Sequence, residues 1–349
     1  MIGDCEVTDV VSYTKRLVTL FSAQFGDMPL PAFLDLARAA GYDGVEIACG
    51  THLDVQKALN DEDYRRDFRA MLDGRQLQLI AISNHCAGQA VLDHITPRHQ
   101  AILPPHVWGD GNPAGVNARA AREMVDTALV AAKLGVGIVN GFTGSPIWRE
   151  MYPFPPVTDQ EISAGYDLLL ERWGPILKAY EDEGIKFALE VHPTEIAFDT
   201  FSAQRTLKVL ETFPAFGFNF DPSHLNYQGV DPALFLYLLG ERVWHTHIKD
   251  VQWGKGDGRI GVFGGHAPFG DPSRYWDFRS PGRGMVDFEA IMVALNHIGY
   301  TGPLSVEWED SHMDREHGAH EALDFVRALD FPPSKQAFDA AFRKASETR

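Results

Sequence analysis

FGFNFDPSHLNYQGVDPALFLYLLGERVWHTHIKD, residues Phe216–Asp250, reads as one strand–helix–strand unit. FGFNF is an apolar run closed by Asp221 and Pro222, DPALFLYLLG is a helical stretch ending at Gly240, and VWHTHI is a second apolar run closed by Lys249 and Asp250. Strand, helical crossover and strand imply parallel pairing, and apolar rather than alternating strands imply burial on both faces. Each run also delivers a polar residue near its carboxyl end, Asp221 in the first and His247 in the second. The same construction recurs on either side: FALEVHP (187–193) delivers Glu190 and PLSVEWED (303–310) delivers Glu307. In a closed barrel of parallel strands the carboxyl ends converge on one face. Three carboxylates and one imidazole meeting there suit a hard-to-borderline divalent metal.

Outward from this unit, strand and helix signals alternate along the whole chain. RLVTLFSAQFG (16–26) precedes PAFLDLARAAGYDG, with Pro31 at a helix start and Gly41 at its end. GVEIACG (44–50) follows, with Glu46 inside it; then come a charged amphipathic helix (61–76) and LQLIAISNH, which ends at Asn84 and His85. VGIVNGFTGS supplies a fourth strand after the helix ARAAREMVDTALVAAKLG, and a helix around Asp159–Gly184 leads into FALEVHP. Eight strand candidates predict an α/β fold of the (β/α)8 TIM-barrel type. A doubly wound sheet would need a Gly-rich phosphate loop after its first strand, which FSAQFGDMP does not match.

Two stretches break the rhythm, after strands 3 and 7. The first, Cys86 to about Val116, carries four prolines and three histidines (His94, His99, His106) and is expected over the carboxyl face. The second, Val251 to Gly284, is rich in Gly, Arg and aromatics and is expected as an active-face loop with no core of its own. The chain 1–349 is read as a single barrel domain, with 330–349 an appended C-terminal helix.

The bulk numbers narrow the partners. With 31 basic against 48 acidic residues the net charge is −17, which opposes binding to nucleic acid or anionic membrane. Three cysteines without CxxC spacing, no secretory pattern at the N-terminus and no apolar run of membrane-spanning length predict a cytoplasmic protein.

The order Glu, Asp-x-x-His, His-x-Lys-Asp, Glu at the ends of strands five to eight resembles the xylose isomerase-like barrel superfamily, and within it the sugar-phosphate isomerase/epimerase group. The resemblance runs from RLVTLFSAQ to VEWED. It implies that Glu190, Asp221, His247 and Glu307 hold one divalent metal, commonly manganese, magnesium or cobalt. It also implies substrate roles for His224 and Lys249, a carbohydrate substrate, and a homodimer or homotetramer, while the two long insertions favour a substrate with an extra group or a partner subunit covering the site. The chain departs from the ketose 3-epimerases of that group in its two long insertions and in lacking, after His247, the arginine they place on the substrate.

Moving a carbonyl along a sugar, or inverting the carbon beside it, requires removing the proton next to that carbonyl. One carboxylate removes it and a second acid returns it. Glu190 and Glu307 are assigned these roles, with Asp221 and His247 holding the ion; a single imidazole among oxygen donors fits manganese or cobalt better than a structural zinc. Several residues carry a plainer reading as well. Asp221 doubles as an N-cap, His245 lies on the same strand face as His247, and Glu309 rivals Glu307. His192 is expected to turn away by strand alternation, and Lys249 with Asp250 could form a strand-end ion pair. His85 and Asn84 could contact substrate hydroxyls, and Arg283 braces a loop or contacts substrate. Trp253, Phe263, Phe269 and Trp276 could wall the pocket or simply pack. The competing reaction is elimination next to a ketone, as in inosose dehydratases or the metal subunit of enzymes that deglycosylate 3-keto C-glycosides.

Overall fold

The helix Leu30–Ala40 shows how local sequence sets the elements: a proline opens it, and Gly41, at φ 98°, closes it in the left-handed region that a side chain would disfavour. Asp61 caps the helix Glu62–Asp73 by accepting from Tyr64 N, and Asn112 caps Pro113–Leu134. A Thr158–Glu161 capping box starts Asp159–Asp182. The structure, a computed structural model, describes residues 15–254 and 256–334.

Ten strands are described: β1 (Val18–Phe21), β2 (Gly44–Ala48), β3 (Gln78–Ser83), β4 (Ile138–Gly141), β5 (Lys186–Glu190), β6 (Phe216–Phe220), β7 (Val243–Ile248), β8 (Asp250–Trp253), β9 (Trp276–Arg279) and β10 (Leu304–Val306). β1 to β7 and β10 form a closed barrel in sequential order, every pair parallel, with β10 pairing β1 and β7. This is the expected (β/α)8 barrel. Apolar side chains such as Val45, Ile47, Phe187, Phe218 and Ile248 are completely buried between strands and helices. Arg16, just before β1, ties the last described helix to the barrel. It binds Asp330 through N and Nη1 (3.0 and 2.6 Å), Asn296 through Nη2 and the Tyr300 carbonyl through Nε.

Both long segments are more ordered than the sequence suggests. The one after β3 contains the short helices His85–Gln89, Pro97–Ala101 and Pro105–Trp108. It packs along Pro113–Leu134, where Arg119 binds the carbonyls of Val107 and Trp108 and His106 pairs with Glu123 at 2.8 Å. The one after β7 folds back as the antiparallel ribbon β8–β9, pairing Val251 with Phe278 and Trp253 with Trp276. Its Val251, Trp253, Trp276 and Phe278 join Tyr227 and Val286 from outside the segment in a small apolar cluster, where the sequence led to the expectation of a coreless loop. Ribbon alternation collects these aromatics on one face. The appended helix expected over 330–349 lies, beyond Ser334, outside the described residues. Among the described residues no helix is long and apolar enough to cross a membrane.

Candidate active site

Four donors meet at the carboxyl end of the barrel. Glu190 is the last residue of β5, His247 the penultimate residue of β7, and Asp221 and Glu307 directly follow β6 and β10. One donor atom from each lies within 4.8 Å of those of the others, and all four residues are buried. Asp221 serves two ends: Oδ1 accepts from Ser223 N at 2.8 Å and caps the helix Pro222–Asn226, leaving Oδ2 to the cluster. His247 Nδ1 lies 2.7 Å from Glu307 Oε2 and 3.2 Å from Glu190 Oε2.

Around these donors stand His224, Lys249 and His85. His224 Nε2 is 3.3 Å from both Glu190 Oε1 and Asp221 Oδ2. Lys249 Nζ donates to Glu307 Oε1 at 3.1 Å and lies 3.2 Å from Glu309 Oε2. His85 Nε2 lies 3.1 Å from Glu190 Oε2. Gln24, in the turn after β1, donates to Glu307 Oε1 at 2.8 Å, and the Phe21 ring stacks on His247 at 5.1 Å.

The residues fit a divalent cation. Asp221 Oδ2, Glu307 Oε2 and His224 Nε2 are buried without a hydrogen-bond partner. Leaving such atoms unpaired costs about 1–3 kcal/mol each. Burial raises all three carboxyls. The neighbouring imidazoles of His224, His247 and His85 nonetheless hold Glu190 well below the usual range, and Lys249 with His247 holds Glu307 down to about 2. Burial pushes Asp221 up to about 6 against the opposing His224 and Lys249, with smaller upward contributions from the charges of Glu190 and Glu307. Burial opposes a charge on His247, yet Glu46 and Glu307 raise it well above the ordinary range. The cluster therefore favours positive charge at Nδ1, which a proton or a metal ion can supply.

A second polar layer lies beneath. Glu46, in the middle of β2, is completely buried. Its Oε2 lies 3.0 Å from His247 Nε2 and accepts from Ser305 Oγ at 3.1 Å, while Oε1 accepts from Asn140 Nδ2 at 2.9 Å. His245 Nε2 approaches Glu46 Oε2 at 3.4 Å, and Asn219 bridges His245, His247 and Glu190. A carboxylate on Nε2 orients the ring and leaves Nδ1 facing the acids. Glu46, His245 and His247 also form a compact trio of donors, though His247 is shared with the upper group.

Of the residues singled out in the sequence, Glu190, Asp221, His247, Glu307, His224, Lys249 and His85 are brought together. Asn84 is not: its amide caps the helix His85–Gln89 and donates to Thr127 Oγ1 at 2.9 Å. Arg283 makes a two-pronged pair with Glu321, both contacts 2.6 Å. Lys249 and Asp250 do not pair; Asp250 instead accepts from the backbone of Gly282, Gly284 and Val286. His192 does not turn away, because β5 ends at Glu190 and alternation ends with it; its ring packs edge-on against His224 at 4.1 Å. Gln24, Asn140, Asn219 and Ser305 were missed. The available signal for the last three was a polar residue interrupting an otherwise apolar strand, as in IVNG, FGFNF and LSV.

The family model for the xylose isomerase-like TIM barrel matches residues 34–329. The uncharacterized protein YfiH of Bacillus subtilis is 24% identical over 323 residues, covering 86% of this chain and 95% of its own. The rhizopine catabolism protein MocC of Rhizobium meliloti is 27% identical over 284 residues, 81% of this chain and 76% of its own. An inosose dehydratase of Clostridium beijerinckii is 27% identical over 187 residues, 54% of this chain and 59% of its own. Among solved structures, the probable 3-DHS dehydratase AsbF from Bacillus anthracis superposes with a TM-score of 0.63 at 16% identity, covering 89% of this chain and 98% of its own. D-psicose 3-epimerase with D-tagatose from Clostridium cellulolyticum gives 0.61 at 16%, covering 90% and 99%. A xylose isomerase-like barrel protein from Mycobacterium smegmatis in complex with magnesium gives 0.61 at 17%, covering 90% and 96%. At these identities the structural likeness speaks for the fold.

Proposed function

Because the chain belongs to the xylose isomerase-like TIM barrel family, we propose that it removes the proton next to the carbonyl of a ketose or keto-polyol and returns it, as an isomerase or epimerase. One observation carries the reading: three buried carboxylates and one imidazole converge at the carboxyl end of the barrel, with Asp221 Oδ2 and Glu307 Oε2 lacking a hydrogen-bond partner. A divalent cation held by Glu190, Asp221, His247 and Glu307, manganese first with cobalt or magnesium next, would supply Lewis-acid polarisation of the carbonyl and an adjoining hydroxyl.

The rest falls to the protein. Glu190 and Glu307 are the acid–base pair, and β5 and β10 lie on opposite flanks of β7 in the barrel order. A substrate seated against His247 therefore meets one carboxylate from each flank. Both are held ionised, so either can accept the proton. In an isomerisation the carboxylate that has accepted it can return it to the neighbouring carbon. An epimerisation instead needs the other carboxylate, protonated from solvent, to deliver a proton from the opposite flank while the first loses its own to solvent. Lys249, beside Glu307 and Asp221, stabilises negative charge developing on substrate oxygen. His224 and His85 orient hydroxyls. The burial of Glu190, Glu307, Lys249 and His224, with His85 partly buried beside them, limits access of bulk water and strengthens each electrostatic contact.

A second reading, elimination of water next to the ketone, is favoured by the kinship in sequence with inosose dehydratases. It uses the same proton removal and asks Lys249 or a histidine to protonate the departing hydroxyl. Metal-loaded protein incubated with ketoses, aldoses and keto-cyclitols, followed by NMR and mass spectrometry, separates the two. An isomer of unchanged mass supports the first reading and loss of water the second; no product from any of them overturns both.

A further inference from the structure

The segments that follow β4, β5, β6 and β7 enclose an apolar cleft of about 370 Å³ on the same end of the barrel as the acid cluster. Its walls are aromatic. Trp148 meets Phe198 edge-on at 5.2 Å, and Tyr227 lies flat on Trp276 at 3.9 Å with 5° between the rings. Phe263 stands at the rim, 74% exposed.

The cleft adjoins the acid cluster. Trp276 and Phe278 are alternate residues of β9, with ring centroids 5.4 Å apart. Phe278 in turn lies 5.4 Å from the His224 ring and 4.2 Å from Lys249 Nζ. His224 and Tyr227 are three residues apart on one helical turn, so the same two elements wall both spaces.

The polar chemistry of the lining selects the occupant. No charged side chain among the described residues lines the cleft, which disfavours a phosphate. Trp276 Nε1 is engaged by the Val262 carbonyl at 2.9 Å, and Gln228 Nε2 by the carbonyls of Phe198 and His224 at 2.9 and 2.6 Å. A second sugar would lose water from its hydroxyls and find few partners, whereas a planar apolar ring would lose little and gain stacking.

We propose that this cleft receives a planar apolar substituent, such as the aglycone ring of an aryl glycoside, carried by the sugar or cyclitol whose polyol end sits at the acid cluster. The inference rests on the polyol-ketone reading of that cluster and adds the substrate class.

The test compares the 3-keto derivatives of phenyl and methyl β-D-glucopyranoside (the phenyl and methyl glucosides below) with phenol for binding to the manganese-loaded full chain, by calorimetry and tryptophan fluorescence. The phenyl glucoside is expected to bind roughly tenfold tighter than the methyl glucoside. Trp148→Ala and Phe198→Ala should remove that gain and leave methyl glucoside binding unchanged. Phe263→Ser, at an exposed position that the fold does not need, should reduce it. Equal dissociation constants for the two glucosides in the wild type would overturn the cleft assignment and leave the polyol-ketone reading standing. Binding of phenol, competed by the phenyl glucoside, with no binding of the methyl glucoside would instead uphold the cleft and overturn the polyol reading. Binding of none of the three would overturn both.

Discussion

Replacing Glu46 by glutamine tests whether the buried lower layer governs the metal affinity of a site it meets only through His247. Each oxygen of Glu46 serves a donor on a different strand: Oε1 accepts from Asn140, and Oε2 from Ser305 with His247 Nε2 3.0 Å away. A glutamine has one oxygen and one NH2, so one side must face a donor with a donor. If the NH2 faces Asn140, the buried defect costs about 1–3 kcal/mol of stability and His247 keeps a neutral acceptor. If it faces His247, the ring loses the contact that fixes Nδ1 toward the acids. In both orientations the carboxylate charge behind the ring is gone, and loss of such a contact typically weakens metal affinity by about 10–100-fold. The assay is manganese competition against a chromophoric chelator, with melting curves in EDTA and in excess manganese. Glu46→Gln should weaken manganese binding by roughly 10–100-fold and shrink the metal-induced stabilisation by about 1.4–2.7 kcal/mol. A dissociation constant within about twofold of wild type, with only the metal-free melting temperature lowered, would refute the reasoning.

Two further outcomes are expected. Glu307→Gln keeps the shape of the site and removes one member of the proposed acid–base pair, so turnover should fall by about 10²–10⁴-fold with the fold intact by circular dichroism; turnover within tenfold of wild type would remove Glu307 from that role. Glu195, buried beneath the turn after β4, accepts from the backbone of Thr143 and Gly144, each at 2.7 Å. Burial, and then Asp93, push its carboxyl from 4.5 up to about 8 against those donors. The folded state thus holds this proton more tightly than the unfolded state. The stability it contributes is full below about pH 4.5 and is lost as pH rises through about 8. Glu195→Gln should flatten the fall of melting temperature across that window, and identical slopes for variant and wild type would contradict the assignment.

The barrel was legible because each strand is a short apolar run punctuated by a polar residue or a turn. The upper site was legible for the same reason: Glu190, Asp221, His247 and Glu307 stand at strand ends, and barrel topology alone carries them to one face. The lower layer was not. Glu46 sits inside GVEIA and meets His247, 201 residues away, only across the closed barrel. The ribbon β8–β9 was hidden because Trp253 and Trp276 are separated by a Gly-rich stretch instead of a short hairpin turn. Arg283 and Asn84 turned on single neighbours: Glu321 on the last described helix for one, a helix cap and Thr127 for the other. His192 depended on where β5 stops, and strand ends are what local sequence defines least well.

The most direct test of the central claim is hydrogen exchange at the carbon next to a ketone. Manganese-loaded protein and a metal-stripped control would be incubated in D2O with ketoses, keto-cyclitols and 3-keto glycosides, and the recovered compounds examined by NMR. The account predicts deuterium at a single carbon beside the carbonyl of the accepted compound, dependent on metal and strongly reduced in Glu190→Gln and Glu307→Gln. Manganese bound tightly, with no deuterium incorporated into any of these compounds, would contradict it.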